Sequence, residues 1–165
     1  MLSEKLTTAI NEQINKEFYS SYLYLAMAAH FDAITLPGFA KWMKLQSAEE
    51  WGHGMRFYEY LTEVGAEVKL AAIALPPAKF GTPKEIFEQA LEHERGVTAS
   101  INAIYELARN ENDPKTELML HWFINEQVEE EKNARDIIDQ LEMGGGNSFG
   151  LMFMDKHVLG ARKGD

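Results

Sequence analysis

The sequence predicts an all-α fold, a four-helix bundle in which one long connection crosses the length of the bundle. Apolar residues recur at spacings of three and four through most of the 165 residues, and this is the period of an α-helix. Proline and glycine signals divide the pattern into four long segments. The second and third segments are separated by roughly 17 residues, 66–82, which contain Pro76-Pro77 and little helical pattern.

Capping residues and first-turn prolines indicate where each helix begins. Ser3 is a suitable N-cap for the first helix, and Pro37 stands in the first turn of the second. Thr82-Pro83 and Asp113-Pro114 each combine a capping side chain with a first-turn proline, so they begin the third and fourth helices. The predicted bounds of the four helices are about 3–31, 37–65, 82–110 and 113–143.

Glycines mark the end of the predicted bundle. Gly144-Gly145-Gly146 stops the fourth helix, and residues 148–159 are predicted to form a short fifth helix. The whole chain, 1–165, is predicted to be one domain, with the four-helix bundle at about 3–143.

The lengths of the connections determine the predicted topology. About five residues join the first two helices and about three join the last two, so each pair is predicted to be an antiparallel hairpin. The link at 66–82 reaches about 55 Å when extended, whereas a helix of about 28 residues is about 42 Å long. The link is therefore long enough to leave the second and third helices parallel.

The amino-acid composition limits which partners the chain can bind and which side chains can bind a metal. The net charge of −10 makes nucleic acid a poor partner, and no apolar run approaches the roughly 20 residues of a membrane helix. The first residues lack the pattern of a signal peptide, so a cytoplasmic protein is expected. Because there is no cysteine, any metal must be bound by oxygen and imidazole, which suit iron, manganese or zinc.

Each predicted helix carries a carboxylate in the middle of its apolar stripe. The four carboxylates and their two polar companions are Glu17, Glu50 with His53, Glu94, and Glu130 with Gln127. An ionised carboxylate in an apolar core costs several kcal/mol unless it is offset, and no Lys or Arg shares these faces. Two divalent cations would balance the four charges, so the stripes predict a metal site.

Each of these residues taken singly has a simpler interpretation. A lone glutamate on a helix is more often exposed to solvent, and a lone histidine such as His53 is more often a hydrogen-bonded structural residue. Tyr24 would ordinarily be a core residue with a bonded hydroxyl. Glu50-x-x-His53 places two ligand types one turn apart, which alone is a weak signal and gains weight only from the other three stripes.

Taken together, the motifs resemble those of prokaryotic non-haem ferritins over essentially the whole chain, so a ferritin-like fold is expected. Besides the residues above, the resemblance includes Tyr24, Ala48-Glu49-Glu50, Trp122 and Glu126-Gln127-Val128-Glu129-Glu130-Glu131. Related di-iron bundles carry a second Glu-x-x-His, and this chain departs from them with Gln127-x-x-Glu130. Trp51 stands where the resembling bacterioferritins have a haem-ligating methionine, so no haem is expected.

The resemblance implies an iron-storage protein with ferroxidase activity, which oxidises Fe(II) with O2 and deposits a ferric mineral inside a cage of twenty-four subunits. It implies that Glu17, Glu50 and His53 bind the first iron of a di-iron centre. Glu50, Glu94 and Glu130 would bind the second iron, with Glu50 as the bridge. Gln127 would lie behind the ligands, and Tyr24 would hydrogen-bond a ligand or donate an electron.

The resemblance also implies a third iron position. Its residues would be Glu49, Glu126, Glu129 and Glu130, and the alternative for this group is a solvated acidic face. Two other functions compete for the chain as a whole. One is a di-iron oxygenase that acts on an organic substrate, and the other is a helical scaffold without metal.

Overall fold

The computed structural model describes residues 1–144 and 146–164, which form four long helices followed by a short one. The helices are α1 (Glu4–Ala33), α2 (Pro37–Glu63), α3 (Pro83–Asn110), α4 (Pro114–Met143) and α5 (Ser148–Met154), and a π-helical segment, Asp155–Leu159, continues α5. The predicted all-α fold is confirmed, and each long helix begins and ends within two residues of its predicted bounds. Gly145, one of the glycines predicted to stop the fourth helix, lies outside the described residues.

The helices begin where the sequence signals placed them. The Ser3 hydroxyl accepts a hydrogen bond from the Leu6 N–H at 3.1 Å, as an N-cap does. Thr82 forms a complete capping box with Glu85, because the side chain of each residue accepts a bond from the backbone N–H of the other. These caps satisfy N–H groups that have no partner inside the helix.

The connection 64–82 runs along α1 from one end of the bundle to the other. Near its start, the Asn11 side chain donates a hydrogen bond to the Glu67 carbonyl at 2.9 Å. Near its end, the Phe80 ring lies 5.7 Å from the ring of His30, close to the last turn of α1. The predicted long crossover is therefore confirmed, and it leaves α2 and α3 parallel.

A layer of buried polar side chains divides the apolar core into two clusters. One cluster includes Phe31 and Phe87, and the other includes Phe57 and Phe123. Along each long helix, the polar layer lies between these two clusters. Its members are Gln13, Glu17, Ser20, Gln46, Glu50, His53, Glu94, Gln127 and Glu130.

The C-terminal segment after α4 folds back onto α2. Met154 and Leu159 are buried in the same cluster as Phe39, and the Phe39 N–H donates a hydrogen bond to Asp155 Oδ1 at 2.9 Å. A Cβ at Gly38 would lie 1.7 Å from the Asp155 carbonyl oxygen, so this close approach requires glycine. None of the helices in 1–144 and 146–164 combines the length and apolarity needed to cross a bilayer.

Candidate metal centre

The four midpoint carboxylates point into the bundle from four different helices. Glu17, Glu50 and Glu94 are each 1% exposed, and Glu130 is 5% exposed. Their burial follows from helical periodicity, because each stands on the stripe that its helix packs against the others. The sequence-based prediction that these side chains face the core is confirmed.

The buried side chains form two groups with the spacing of metal ligands. One group consists of Glu17, Glu50 and His53, and the other of Glu50, Glu94 and Glu130. Within each group, one ligand atom from every residue lies within 4.8 Å of the others. Glu50 belongs to both groups, so the two groups are neighbours that share one residue.

Burial changes the protonation of these acids. It raises the pKa of Glu17 from 4.5 to about 7, although the hydrogen bond from Gln13 acts in the opposite direction. Burial also raises the pKa of Glu50 and Glu130 well above the ordinary value, and repulsion by neighbouring carboxylates adds to the effect. In the part of the chain that the structure describes, no Lys or Arg pairs with these acids.

The chemistry of the donor set fits a pair of divalent cations. The Glu17 Oε2 atom is buried and accepts no hydrogen bond from an N–H or hydroxyl group of the described residues. The Glu50 carboxyl, when protonated, donates a hydrogen bond to the Glu17 carboxylate, and a cation shared by the two acids would replace that proton. Carboxylate oxygens with one imidazole suit iron and similar ions. Bound cations would take the place of the protons that burial otherwise keeps on these acids.

Two further residues singled out in the sequence lie directly behind Glu94. The Tyr24 hydroxyl donates a hydrogen bond to Glu94 Oε1. Burial and the nearby carboxylates raise the pKa of Tyr24 well above 10, so the phenol keeps its proton. Gln127 donates from Nε2 to Glu94 Oε2 at 3.1 Å and lies close to Thr98 Oγ1, at 3.3 Å.

Two buried glutamines were not singled out from the sequence. The Gln46 Nε2 atom donates to Glu50 Oε1 at 3.0 Å and to Glu130 Oε2 at 2.7 Å. The Gln13 Nε2 atom donates to Glu17 Oε1 at 2.7 Å. Each glutamine stands four residues before a site glutamate, and this spacing in the sequence indicates that the two side chains share one helix face.

The residues of the predicted third iron position are only partly brought together. Glu126 and Glu130 join His53 in a third group with ligand spacing. Glu49 instead forms an ion pair with Arg162 at 2.5 Å, and Glu129 is exposed. Among the described residues, no group of three ligand atoms includes Glu49 or Glu129. This position stays a prediction.

Comparison with known proteins establishes the family. The model of the ferritin-like domain matches residues 7–144. The chain belongs to the ferritin family. It is 43% identical over 158 residues to the bacterial non-heme ferritin of Bacteroides fragilis strain 638R, an alignment that covers 96% of this chain and 98% of the relative. Its identity to the bacterial non-heme ferritin of Staphylococcus aureus strain USA300 is 37% over 165 residues, with 100% and 99% covered.

Solved ferritin structures superimpose closely on this ferritin chain. An open-pore ferritin from the hyperthermophilic archaeon Archaeoglobus fulgidus matches with a TM-score of 0.97 and 44% identity, covering 99% of this chain and 100% of that one. A form of the A. fulgidus ferritin engineered to be closed also matches with a TM-score of 0.97, at 43% identity over all of both chains. The predicted resemblance and the predicted ferritin-like fold are confirmed.

Proposed function

We propose that this ferritin chain binds two Fe(II) ions in the polar layer of its bundle, oxidises them with O2 and passes the ferric product to a stored mineral. The observation that carries the proposal is the sharing of Glu50 between two groups of buried ligands. A shared carboxylate holds two ions as neighbours, which an isolated site does not. Glu17 and His53 complete one position, and Glu94 and Glu130 complete the other.

Charge balance supports two divalent ions as the substrate. Four carboxylates carry four negative charges when ionised, and two Fe(II) ions supply four positive charges. Because burial raises the pKa of Glu17, Glu50 and Glu130, ion binding is expected to release protons from these acids. Hard oxygen ligands favour Fe(III) over Fe(II), so the same side chains promote oxidation.

The presence of two neighbouring Fe(II) ions determines how many electrons O2 receives in one step. Each Fe(II) gives one electron, so two neighbouring ions together supply the two electrons that convert O2 to hydrogen peroxide. The two protons of the peroxide come from water, and hydrolysis of the Fe(III) product releases further protons. If Tyr24 supplies an electron in place of one iron, the proton of its hydroxyl leaves with that electron, and Glu94 Oε1 is the acceptor to which the hydroxyl already donates.

Storage requires a closed compartment, and we propose that copies of this chain assemble into a cage of twenty-four subunits. The ferritin relatives support homo-oligomeric assembly. Size-exclusion chromatography with light scattering tests the count, because a complete cage has twenty-four times the 18.8 kDa mass of one chain. A monomer or dimer would exclude storage and favour an oxygenase.

An anaerobic titration with Fe(II), followed by addition of O2, tests the oxidation chemistry. The parent protein is expected to bind about two Fe(II) per chain and to consume about one O2 for them. Replacing Glu50 with Gln removes the shared charge, so both binding and oxidation should fall about tenfold or more. Glu59→Gln changes an exposed acid on the same helix and should behave like the parent. Equal oxidation rates in all three proteins would refute the proposal.

A further inference from the structure

A continuous line of hydrogen bonds connects the protein surface to one oxygen of Glu17. At the outer end, the exposed Lys16 donates from Nζ to Ser100 Oγ at 2.6 Å. Ser100 Oγ donates to Gln13 Oε1 at 2.6 Å, and Gln13 Nε2 donates to Glu17 Oε1 at 2.7 Å. The line therefore crosses from α1 to α3 and back before it reaches the polar layer.

Successive hydrogen bonds in this line can be donated in one direction, from Lys16 toward Glu17. The Lys16 ammonium can only donate, so Ser100 must use its oxygen to accept and its single hydrogen to donate inward. Within the described part of the chain, the acceptor that this hydrogen meets is the amide oxygen of Gln13. That contact fixes the orientation of the amide, and the Gln13 NH2 group then faces Glu17. Gln13 is 0% exposed, so water does not compete for the amide.

The result for Glu17 is a difference between its two oxygens. Oε1 accepts the hydrogen bond from Gln13, whereas Oε2 is buried and accepts none from an N–H or hydroxyl group of the described residues, with the Glu50 carboxyl as its acidic neighbour. Gln46 stands at the corresponding position on α2, but it divides its two donor bonds between Glu50 and Glu130. The one-to-one contact of Gln13 with Glu17 is thus a separate feature of the first ligand group.

We propose that Gln13, oriented by Ser100 and Lys16, is a positioning residue that makes Glu17 bind its ion through Oε2 alone. This inference rests on the proposed function, since it concerns the ion held by Glu17, Glu50 and His53. A carboxylate that binds through one oxygen leaves a coordination position open for O2 or water. It also releases the ion faster than a chelating carboxylate, and an ion that is substrate must leave the site.

Replacing Gln13 with Met tests the proposal, because Met has a similar shape but no donor for Glu17. The probes are Zn(II), whose release to a chelator is followed, and Co(II), whose visible absorption weakens as its coordination number rises. Without Gln13, Glu17 is free to chelate. Zn(II) release should then be about tenfold slower and the Co(II) absorption should fall, whereas a neighbour that only supported its ligand would weaken the site about tenfold or more when it is removed. Gln89→Met, the same change at an exposed position of α3, should match the parent.

Ser100 provides a second test that leaves Gln13 in place. Ser100→Ala removes the hydroxyl that orients the amide, so it should shift zinc release and cobalt absorption in the same direction as Gln13→Met. Ser100→Thr keeps a hydroxyl and should restore the parent behaviour. If Ser100 has only a structural role, Ser100→Ala and Ser100→Thr should lower the unfolding temperature and leave the cobalt absorption unchanged.

The outcomes separate this inference from the proposed function. If the parent fails to bind two Fe(II) ions per chain in the anaerobic titration, the proposed function itself is wrong. If the parent binds both ions but Gln13→Met leaves the cobalt spectrum and the zinc release rate unchanged, the inference alone is overturned. Faster zinc release in Gln13→Met would also overturn it, because Gln13 would then strengthen ion binding rather than restrict it.

Discussion

Removing the charge of Glu17 should make the stability of the metal-free protein less sensitive to a rise in pH between about 4.5 and about 7. The pKa of Glu17 is raised from 4.5 to about 7, so the difference is about 2.5, and each pKa unit corresponds to about 1.4 kcal/mol. Between these two pKa values the folded chain holds a proton that the unfolded chain has released. The free energy of unfolding therefore falls as pH rises through this window, by about 3 kcal/mol from Glu17 alone.

The assay is urea unfolding of chelator-treated protein at about pH 5 and about pH 8, with the helical signal measured by circular dichroism. Glu17→Gln keeps the shape of the side chain, and it should lose about 2.5 kcal/mol less than the parent on going to the higher pH, because pH 5 already lies inside the window between the two pKa values. Glu12→Gln, at an exposed position of α1, is the matched control. If Glu17→Gln and the parent lose stability equally, burial of Glu17 does not shift its pKa and the reasoning fails.

Three other predictions concern metal loading and packing. Saturating Zn(II) should raise the unfolding temperature more at about pH 8 than at about pH 5, because protons compete with the ion at the lower pH. If calorimetry shows the opposite order, Zn(II) does not bind to the buried glutamates of the polar layer. Phe57→Ala should lower the free energy of unfolding by about 3–5 kcal/mol, because the buried Phe57 ring stacks on Phe123 with 3.9 Å between the ring centroids. Urea unfolding measures the change, and a loss under about 1 kcal/mol would contradict this packing. Gly38→Ala should increase hydrogen exchange in the π-helical segment that contains Asp155, because the added Cβ would meet the Asp155 carbonyl oxygen. Gly52→Ala is the control, since a Cβ there has open space around it. Equal protection of the segment in both variants would argue against close contact between Gly38 and Asp155.

The sequence was sufficient for the features that depend on local signals. Caps and prolines determined the helix starts because they act within one turn, and the predicted link at 66–82 was long enough to cross the bundle. The inward direction of Glu17 and Glu94 followed from periodicity, because a helical stripe has one buried side. The family, and with it the iron-storage function, followed from the combination of these residues.

Contacts between distant parts of the chain were beyond such reasoning. The bond between Arg162 and Glu49 joins residues 113 positions apart, and no periodic pattern specifies it. Gln13 and Gln46 were overlooked for a different reason. A glutamine on a helix is usually a surface residue, and the four-residue spacing from a site glutamate suggests a shared face without showing that both side chains are 0% exposed.

The ion pair between Arg162 and Glu49 links the end of the chain to any cation that approaches Glu49. The guanidinium of Arg162 also donates to the Trp42 carbonyl at 3.3 Å and lies 4.3 Å from the centre of the Trp42 ring. An ion that binds Glu49 through Oε2 must displace this guanidinium, because that oxygen accepts the hydrogen bond from Arg162. Thermodynamic linkage makes the competition reciprocal: the factor by which the docked tail weakens ion binding at Glu49 equals the factor by which the ion weakens docking of the tail.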